Sequence, residues 1–252
     1  MEFVVSDQLK LQCKGLPDVP IEDNLVWKAA RMLSNAVSVS SGATITLKKQ
    51  IPFGAGLGGG SSNAAATLLA LCRLWEIAMP ESDLQSLAAE LGSDVPYFLH
   101  GGMAVGSGRG EKIDLLPDIP SSNLVVLFPG VHVSTVEAYR SLNLGLTSET
   151  EDNRIHRFCG QMIENKNYLA GIFNDFEASI LPAYPYIGEA LKFLRQQGAT
   201  GTLLSGSGSA VFGFFPSEES AFAASHAASR ENWRVFPAKT LSRTEYFHSM
   251  FG

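Results

Sequence analysis

Five glycines lie close together between Pro52 and Ala66, in the run PFGAGLGGGSSNAAA. They are Gly54, Gly56, Gly58, Gly59 and Gly60, and only Ala55 and Leu57 interrupt them. Because glycine has no Cβ, a ligand can approach this backbone closely. The residues that follow predict the start of a helix, whose first N–H groups and positive dipole end favour an anion. The run therefore predicts a loop that binds phosphate.

The run has one interpretation without a ligand and three as a phosphate-binding loop. Ser61 or Ser62 could cap a helix after a flexible linker without binding a ligand. A Walker A loop is excluded, because no lysine follows the last glycine ahead of Ser61. A dinucleotide fingerprint is matched in form by three of the glycines, but the acidic residue it requires falls at Glu76, late in a predicted helix. After the Walker A loop and the dinucleotide fingerprint, the third phosphate-loop interpretation is a loop that wraps the phosphates of ATP, with adjoining serines that help to hold Mg²⁺.

A carboxylate stands in the segment LGSDVPYF, where Asp94 follows a predicted helix end and precedes Pro96. Phosphoryl transfer needs a group that accepts or orients the proton of the attacking hydroxyl, and a carboxylate can do this. By its residues alone, the same position is typical of a turn or a cap. None of the five histidines forms a metal-binding or catalytic-triad pattern in the sequence.

Composition excludes several classes of protein. The 252 residues are 45% hydrophobic with a formal net charge of -6, and the basic residues form no stripe that could neutralise nucleic-acid phosphates. No apolar run approaches the roughly 18 residues of a membrane span. Three isolated cysteines, at positions 13, 72 and 159, suggest a reducing compartment rather than a disulfide framework. We expect a cytoplasmic protein with no nucleic-acid or membrane partner.

Periodicity along the chain predicts a mixture of helices and strands. The helices are expected at 24–37, 64–76, 84–91, 135–141, 187–197 and 218–230. The strands are expected at 3–14, 44–51, 97–105, 124–128, 200–204, 210–215 and 233–236, and 146–153 is expected to be a polar loop. This order lacks a regular βαβ repeat and favours an α+β fold with two lobes. The polar link at 114–122 predicts a boundary between domains at 1–118 and 119–252.

The glycine run also carries a family resemblance. GAGLGGGSSNAAATLLAL resembles the nucleotide loop of GHMP-superfamily kinases, and within them that of the 4-diphosphocytidyl-2-C-methyl-D-erythritol kinases. The segments that agree with this family lie in family order over most of the chain: LAAELGSDVPYFLHGGMAVGSGRGEKI, LFPGVHVSTVEAY, FNDFE and GATGTLLSGSGSAVFGFF.

The resemblance implies an activity and a fold. The activity is ATP-dependent phosphorylation of the 2-hydroxyl of 4-diphosphocytidyl-2-C-methyl-D-erythritol in the non-mevalonate isoprenoid pathway, with ATP and Mg²⁺ as cofactors. The fold is the two-lobed GHMP kinase fold, with an N-terminal lobe like domain 2 of ribosomal protein S5 and a ferredoxin-like C-terminal lobe. The protein is expected to be a monomer or a homodimer.

The resemblance also implies roles for individual residues. Asp94 is the catalytic aspartate, and no protein side chain is assigned as a metal ligand. The ATP-binding residues are Asn24, Lys49, Pro52, Gly54, Ala55, Gly56, Leu57, Gly58, Gly59, Gly60, Ser61, Ser62 and Asn63. The substrate-side residues are Ser205, Gly206, Ser207 and Gly208. Without the resemblance, Asn24 could be a helix cap, Lys49 a solvated strand charge and the SGSG segment a structural turn.

The chain departs from the family pattern at its start. The family begins with a strand that carries a catalytic lysine, followed by an arginine and a DGYH signature, whereas MEFVVSDQLKLQC resembles the stretch after them. We therefore expect the chain to start some tens of residues late. Three hypotheses follow: an active kinase of this family, a truncated and non-catalytic nucleotide-binding remnant, or a GHMP kinase for another small alcohol such as a sugar, mevalonate or homoserine.

Overall fold

The computed structural model describes residues 1–15, 19–37, 39, 41–142, 158–161, 164, 169, 171–229 and 231–252, so the polar loop predicted at 146–153 lies outside the described residues. The chain forms two compact units. The first unit comprises Met1–Phe53, Gly58–Leu116 and Arg243–Gly252, and the second comprises Gly54–Leu57 and Pro117–Ser242. The glycine loop thus contributes to both units. The domain division at 118 and 119 stays a prediction.

The first unit has a three-stranded sheet covered by helices. Its strands are β1 (Glu2–Ser6), β2 (Lys10–Lys14) and β3 (Gly42–Lys48), in the order β1-β3-β2, with β1 antiparallel and β2 parallel to β3. Its helices are α1 (Leu25–Ala36), α2 (Gly59–Leu74), α3 (Glu81–Leu91) and, at the end of the chain, the helix Arg243–Phe251. A 3₁₀ helix at Pro96–Leu99 precedes the hairpin of β4 (Ala104–Ser107) and β5 (Lys112–Leu115).

Apolar periodicity explains how this unit is held together. Every second residue of β3 is buried, at Ala43, Ile45 and Leu47, as expected for a strand with one face in the core. Helix α1 buries residues at helical spacing from Val26 to Leu33. These side chains form one core with buried residues of α2, including Leu68 and Leu71. The core fixes the direction of α2, whose first turn continues from the glycine loop.

The second unit has a four-stranded antiparallel sheet. Its strands are β6 (Asn123–Phe128), β7 (Gly201–Leu204), β8 (Val211–Phe215) and β9 (Arg234–Lys239), in the order β7-β8-β6-β9. Its helices are α4 (Thr135–Ser141), α5 (Glu177–Ala183), α6 (Pro185–Gln196) and α7 (Glu218–Ala228). Helices lie between β6 and β7 and between β8 and β9, which gives the βαββαβ order of a ferredoxin-like unit. The helix Arg243–Phe251 of the first unit is α8.

The predicted α+β fold is confirmed, and so are most of the predicted elements. Helix α4 has the predicted bounds, and α1, α3, α6 and α7 lie within a few residues of theirs. Helix α2 begins at Gly59 rather than residue 64. Two predicted strands are wrong: 3–14 is divided into β1 and β2, and 97–105 begins as a 3₁₀ helix. Helices α5 and α8 were not predicted.

Two further observations concern the described part of the chain. No helix in it is both long and apolar enough to cross a membrane. The thiols of Cys13, Cys72 and Cys159 are free, and burial raises the pKa of each. A raised pKa keeps a thiol protonated and therefore poorly nucleophilic.

Candidate active site

The start of helix α2 has the geometry of an anion site. Its N-cap residue, Gly58, has left-handed backbone (φ +61°) and no side chain that could accept from the first N–H groups. The first hydrogen bond of the helix runs from the N–H of Ser62 to the carbonyl oxygen of Gly58 at 2.8 Å. The N–H groups of Gly59, Gly60 and Ser61 are therefore directed out of the helix end. This arrangement suits phosphate oxygens.

An aromatic ring fixes the backbone at this helix start. The ring of Phe98, in the 3₁₀ helix, lies so close to Gly58 that a Cβ there would be 2.8 Å from Cζ of the ring. Glycine is thus required at position 58 twice, for the left-handed φ and for the ring contact. The phenol of Tyr246, in α8, donates a hydrogen bond to the carbonyl oxygen of Phe98 at 2.7 Å. Helix α8 therefore supports the residue that packs against the loop.

A lysine lies beside the same helix turn. The ammonium of Lys49 donates a hydrogen bond to the carbonyl oxygen of Gly59 at 2.7 Å. In the amide orientation that satisfies its neighbours, Asn63 accepts from Lys49 Nζ at 3.1 Å and donates to Gly59 O at 3.2 Å. Burial lowers the pKa of Lys49. The side chain is half-buried and lies beyond the end of β3, so it is not a solvated strand charge.

Asp94 lies at the surface of the first unit, in the turn between α3 and the 3₁₀ helix. The buried residues Val95 and Pro96 follow it and hold the turn in the core. Its carboxylate faces the β4–β5 hairpin, where a Cβ on Gly110 would be 4.0 Å from Oδ1. Four residues later, Phe98 contacts Gly58 of the glycine loop. One short segment thus connects an accessible carboxylate to the open end of α2.

Asn24 and Pro52 have structural surroundings of their own. The side chain of Asn24 caps α1, where it accepts from the N–H of Val26 at 2.9 Å, and its amide donates to Cys13 Sγ at 3.4 Å. The next residue, Leu25, packs against the first turn of α2. Pro52 is buried just ahead of the loop. The cap interpretation of Asn24 therefore describes its side chain, and its nucleotide role stays a prediction.

The first half of the glycine loop, Gly54–Leu57, packs within the second unit. A Cβ on Gly56 would lie 2.0 Å from the carbonyl oxygen of Ser205, so only glycine fits at this contact. The hydroxyl of Ser205 donates to the carbonyl oxygen of Gly56 at 2.9 Å. The N–H of Ala210 donates to the carbonyl oxygen of Ala55 at 3.0 Å. The two glycine motifs of the sequence therefore contact each other directly.

The SGSG turn is closed by its own hydrogen bonds. The N–H of Gly208 donates to the carbonyl oxygen of Ser205 at 2.9 Å, and the N–H of Ser205 donates to that of Ala210 at the same distance. The hydroxyl of Ser207 lies 3.2 Å from that of Thr135, at the first residue of α4. The segment is thus a defined turn between β7 and β8 rather than a flexible connection.

Two residues of the FNDFE segment hold this turn, although the sequence assigned them no role. The amide of Asn174 donates to the carbonyl oxygens of Leu204 and Gly206, at 2.9 and 2.8 Å. The carboxylate of Glu177 accepts from the N–H of Leu204 at 2.8 Å. The family match of FNDFE was the only sequence signal for them, because their partners lie about thirty residues away in the chain.

A cavity of about 450 Å³ opens beside the SGSG turn in the second unit. Its lining includes Ser205, Gly206 and several aromatic side chains. Tyr139 and Phe173 are 63% and 70% exposed, which is high for aromatic residues. Such exposed rings beside a polar turn can stack on a planar ligand. The cavity can therefore accept a molecule with an aromatic part.

The predicted site residues form one group in each unit. In the first unit, the second half of the glycine loop, Lys49, Asn63 and Asp94 belong to connected segments. In the second unit, Gly54–Leu57 and the SGSG turn are hydrogen-bonded to each other. The roles of these residues stay predictions.

Comparison with known proteins identifies the family. Residues 24–102 match the model of the GHMP kinases N terminal domain, and residues 159–235 match that of the GHMP kinases C terminal. The 4-diphosphocytidyl-2-C-methyl-D-erythritol kinase of Syntrophus aciditrophicus is 39% identical over 96% of this chain and 86% of its own length. The protein of the same name from Chlorobaculum parvum is 41% identical over 85% of this chain and 76% of its own length.

A solved structure agrees with these relatives. A crystal structure of 4-(cytidine 5'-diphospho)-2C-methyl-D-erythritol kinase has a TM-score of 0.76 and 33% sequence identity, and covers 94% of this chain and 84% of that one. Sequence and fold thus agree over nearly the whole chain. The chain belongs to the GHMP kinase family, in the group of the 4-diphosphocytidyl-2-C-methyl-D-erythritol kinases.

Proposed function

We propose that this chain transfers the γ-phosphoryl group of ATP to the 2-hydroxyl of 4-diphosphocytidyl-2-C-methyl-D-erythritol, a step of the non-mevalonate isoprenoid pathway. The observation that carries the proposal is the 39% identity to a kinase of this substrate over 96% of the chain. The phosphate-binding geometry at the start of α2 supports it independently.

ATP fits the open end of α2. The left-handed Gly58 and the N–H groups after it form a cradle for an anion at the helix end, and a Cβ on Gly58 would be 2.8 Å from the Phe98 ring. Lys49 lies close enough to add positive charge beside the phosphates, since its ammonium bonds Gly59 O. The nucleotide-binding residues that we propose are Asn24, Lys49, Pro52, Gly54, Ala55, Gly56, Leu57, Gly58, Gly59, Gly60, Ser61, Ser62 and Asn63.

Mg²⁺ would neutralise the charge of the phosphates and, with it, the charge that develops during transfer. Within the described ranges, His, Cys, Asp and Glu side chains form no group of three that could hold a metal ion alone. A nucleotide-bound Mg²⁺ does not require such a group, because it is held largely by phosphates and water. The hydroxyls of Ser61 and Ser62, in the first turn of α2, are the protein ligands that we propose.

Asp94 is the residue that we propose for proton transfer. Its exposed carboxylate can accept the proton of the 2-hydroxyl while that oxygen forms a bond to the γ-phosphorus. The bond from the γ-phosphorus to the bridging oxygen breaks, and ADP leaves with the electron pair. The carboxylate does no covalent chemistry, so its contribution depends on its position in the turn before Val95.

We propose that the alcohol substrate binds to the second unit. The residues from Ser205 to Gly208 form a turn whose backbone is fixed from several directions. The adjoining cavity has exposed rings at Tyr139 and Phe173 that can stack on the cytosine ring. A cytidine diphosphate group would thus be held by aromatic contacts and by polar groups of the turn.

We also propose that the protein is cytoplasmic and a monomer or homodimer. Free thiols that stay protonated suit a reducing compartment. Light scattering of the purified chain measures the oligomeric state. A mass equal to one or two times 27.1 kDa is expected, and a larger assembly would contradict the proposal.

A coupled assay of ADP release tests the substrate. The chain is incubated with ATP, Mg²⁺ and, in parallel, 4-diphosphocytidyl-2-C-methyl-D-erythritol, mevalonate, homoserine or a sugar. We expect ADP release that depends on the diphosphocytidyl compound. Release with another alcohol alone would identify a different GHMP kinase, and nucleotide binding without release on any alcohol would support a non-catalytic protein.

A further inference from the structure

We propose that Asn174 and Glu177 are positioning residues, which hold the SGSG turn and, through Ser205, the first half of the glycine loop. The inference rests on the proposed kinase function for its effect on turnover. The inference that these two side chains hold the turn concerns residues of the second unit, and it can be tested by a measurement that does not require kinase activity.

The amide nitrogen and the amide oxygen of Asn174 are both engaged in hydrogen bonds. Its nitrogen donates to Leu204 O at 2.9 Å and to Gly206 O at 2.8 Å. Its oxygen accepts from the N–H of Phe176 at 3.0 Å, two residues on, which is an Asx turn that fixes the side chain on its own backbone. An amide with both N–H groups and its oxygen engaged has one orientation. Asn174 can therefore set the distance between two carbonyl groups of the turn.

Glu177 binds the other backbone group of Leu204, its N–H. Its Oε1 atom accepts from the N–H of Leu204 at 2.8 Å. Leu204 ends β7, which is an edge strand of the sheet, so its free backbone groups would otherwise have no strand partner. Side chains from a distant segment thus bind both the N–H and the carbonyl group of one buried residue. A loss of either partner leaves a buried polar group unsatisfied.

Contacts of the SGSG turn also fix the backbone of the glycine loop. Ser205 lies between Leu204 and Gly206, the two residues that Asn174 binds. Its hydroxyl donates to Gly56 O at 2.9 Å, and its own carbonyl oxygen lies where a Cβ on Gly56 would clash with it. Ala210, just after the turn, donates to Ala55 O at 3.0 Å. A displaced turn would therefore displace the backbone of Ala55 and Gly56.

Conservative variants of Asn174 and Glu177 show whether their hydrogen bonds, rather than the packing of their side chains, position the turn. Glu177→Gln keeps an oxygen that can accept from Leu204, whereas Glu177→Ala does not. Asn174→Asp keeps the Asx turn but places a negative oxygen opposite two carbonyl oxygens, so it should be as harmful as Asn174→Ala. Ser217→Ala is the control, because it removes the N-cap of α7 without touching the turn.

Steady-state kinetics form the first arm of the test. We expect Asn174→Ala, Asn174→Asp and Glu177→Ala to lower kcat/KM by about 30- to 100-fold, as a displacement of about 1 Å does. Most of the loss should lie in kcat, because the protein still folds and binds substrate. Glu177→Gln and Ser217→Ala should remain within about threefold of the unaltered chain. Equal activity of all five variants would overturn the proposal.

Hydrogen exchange forms the second arm, and needs no activity. The amides of Ser205, Gly208 and Ala210 are hydrogen-bonded in and next to the turn, and that of Ala210 bonds the glycine loop. We expect Asn174→Ala to accelerate their exchange at least tenfold, while Ser217→Ala accelerates exchange in α7 alone. Unchanged exchange at Ala210 would overturn the proposal. If the unaltered chain lacks kinase activity but exchange changes as expected, the proposed function fails and the positioning inference stands.

Discussion

The ammonium of Lys49 donates a hydrogen bond to the carbonyl oxygen of Gly59 at 2.7 Å. Gly59 is the first residue of α2, so a half-buried cation is held where that helix offers its N–H groups. A carbonyl oxygen is a weak partner for a charge, and burial lowers the pKa of Lys49. An incoming phosphate would offer a stronger partner to this lysine.

Lys49→Met should therefore weaken ATP binding. We expect KM for ATP to rise about tenfold, which corresponds to the free energy of one lost charge-assisted hydrogen bond. KM for the alcohol substrate should change little. The neighbouring Lys48→Met is the matched control, because Lys48 is exposed and, among the described residues, forms a long ion pair with Glu2, at 3.9 Å. Initial rates over a range of ATP concentrations measure both variants, and equal KM values for them would contradict the role of Lys49.

Gly56→Ala should damage both folding and activity. The new Cβ would lie 2.0 Å from Ser205 O, at a residue whose φ of +73° already disfavours a side chain. We expect a loss of about 1 to 3 kcal/mol in the free energy of unfolding. Gly188→Ala, in α6, is the control, since no atom in the described part of the chain lies within 4 Å of its Cβ position and alanine favours a helix. Denaturant unfolding measures both variants; a stable Gly56→Ala variant would show that this contact is not present in solution.

Sequence reasoning predicted the features with a local signal. The glycine loop was found because its residues are consecutive, and α1 because Val26 to Leu33 have helical spacing. The strand predicted at 97–105 failed, because a short apolar run such as PYFL looks the same in a strand and in a 3₁₀ helix.

The positions of the site residues depend on contacts between distant segments. Asp94 was found by motif, but its connection to Gly58 through Phe98 depends on tertiary packing. Asn174 and Glu177 bind backbone groups of Leu204, and backbone groups are the same in every residue type, so such bonds leave no signal in the sequence of the backbone partner. The FNDFE match marked the segment, but the partners of Asn174 and Glu177 follow only from the three-dimensional structure.

Alkaline pH should destabilise the chain through Tyr246. Burial, with a smaller contribution from the charge of Tyr97, raises the pKa of Tyr246 to about 12, from an ordinary value of 10.0. The unfolded chain therefore loses this phenol proton at lower pH than the folded chain does. The stabilisation by Tyr246 is complete below about pH 10 and is lost progressively between about pH 10 and 12.

Tyr246→Phe tests this pH dependence. The variant loses the hydrogen bond to Phe98 O, so it should be less stable than the unaltered chain near pH 8. The difference in the free energy of unfolding should shrink as the pH rises from 10 to 12. Tyr186→Phe, which changes a partly exposed tyrosine of α6, is the control. A difference for Tyr246→Phe that stays constant up to pH 12 would argue against a buried, protonated phenol.

Phe173→Ala should weaken binding of the cytidine substrate. If the exposed ring stacks on cytosine, its loss removes about 1 to 3 kcal/mol and raises KM for that substrate about 10- to 100-fold. KM for ATP should be unchanged. Phe222→Ala removes a ring of similar exposure, 67%, on α7 and away from the cavity. Initial rates at varied substrate concentration compare the two; the stacking role is excluded if both variants bind the substrate normally.

Asp94→Asn should abolish most turnover and leave the fold intact. The amide cannot take the proton of the attacking hydroxyl, so kcat should fall about 10²- to 10⁴-fold. The side chain is exposed, and its replacement should change the melting temperature little. Asp83→Asn, at an exposed position of α3, is the control. Full activity of Asp94→Asn would remove this residue from the mechanism.

The phosphorus NMR spectrum of the reaction mixture tests the central claim most directly. The purified chain is mixed with ATP, Mg²⁺ and 4-diphosphocytidyl-2-C-methyl-D-erythritol, and the spectrum is followed over time. We predict that the γ-phosphate signal of ATP is lost and that a phosphate monoester signal grows in equal amount, as a singlet because the carbon at the 2-position bears no hydrogen. A spectrum in which ATP stays intact, or in which inorganic phosphate alone appears, would contradict the assignment of this chain as a kinase of that substrate.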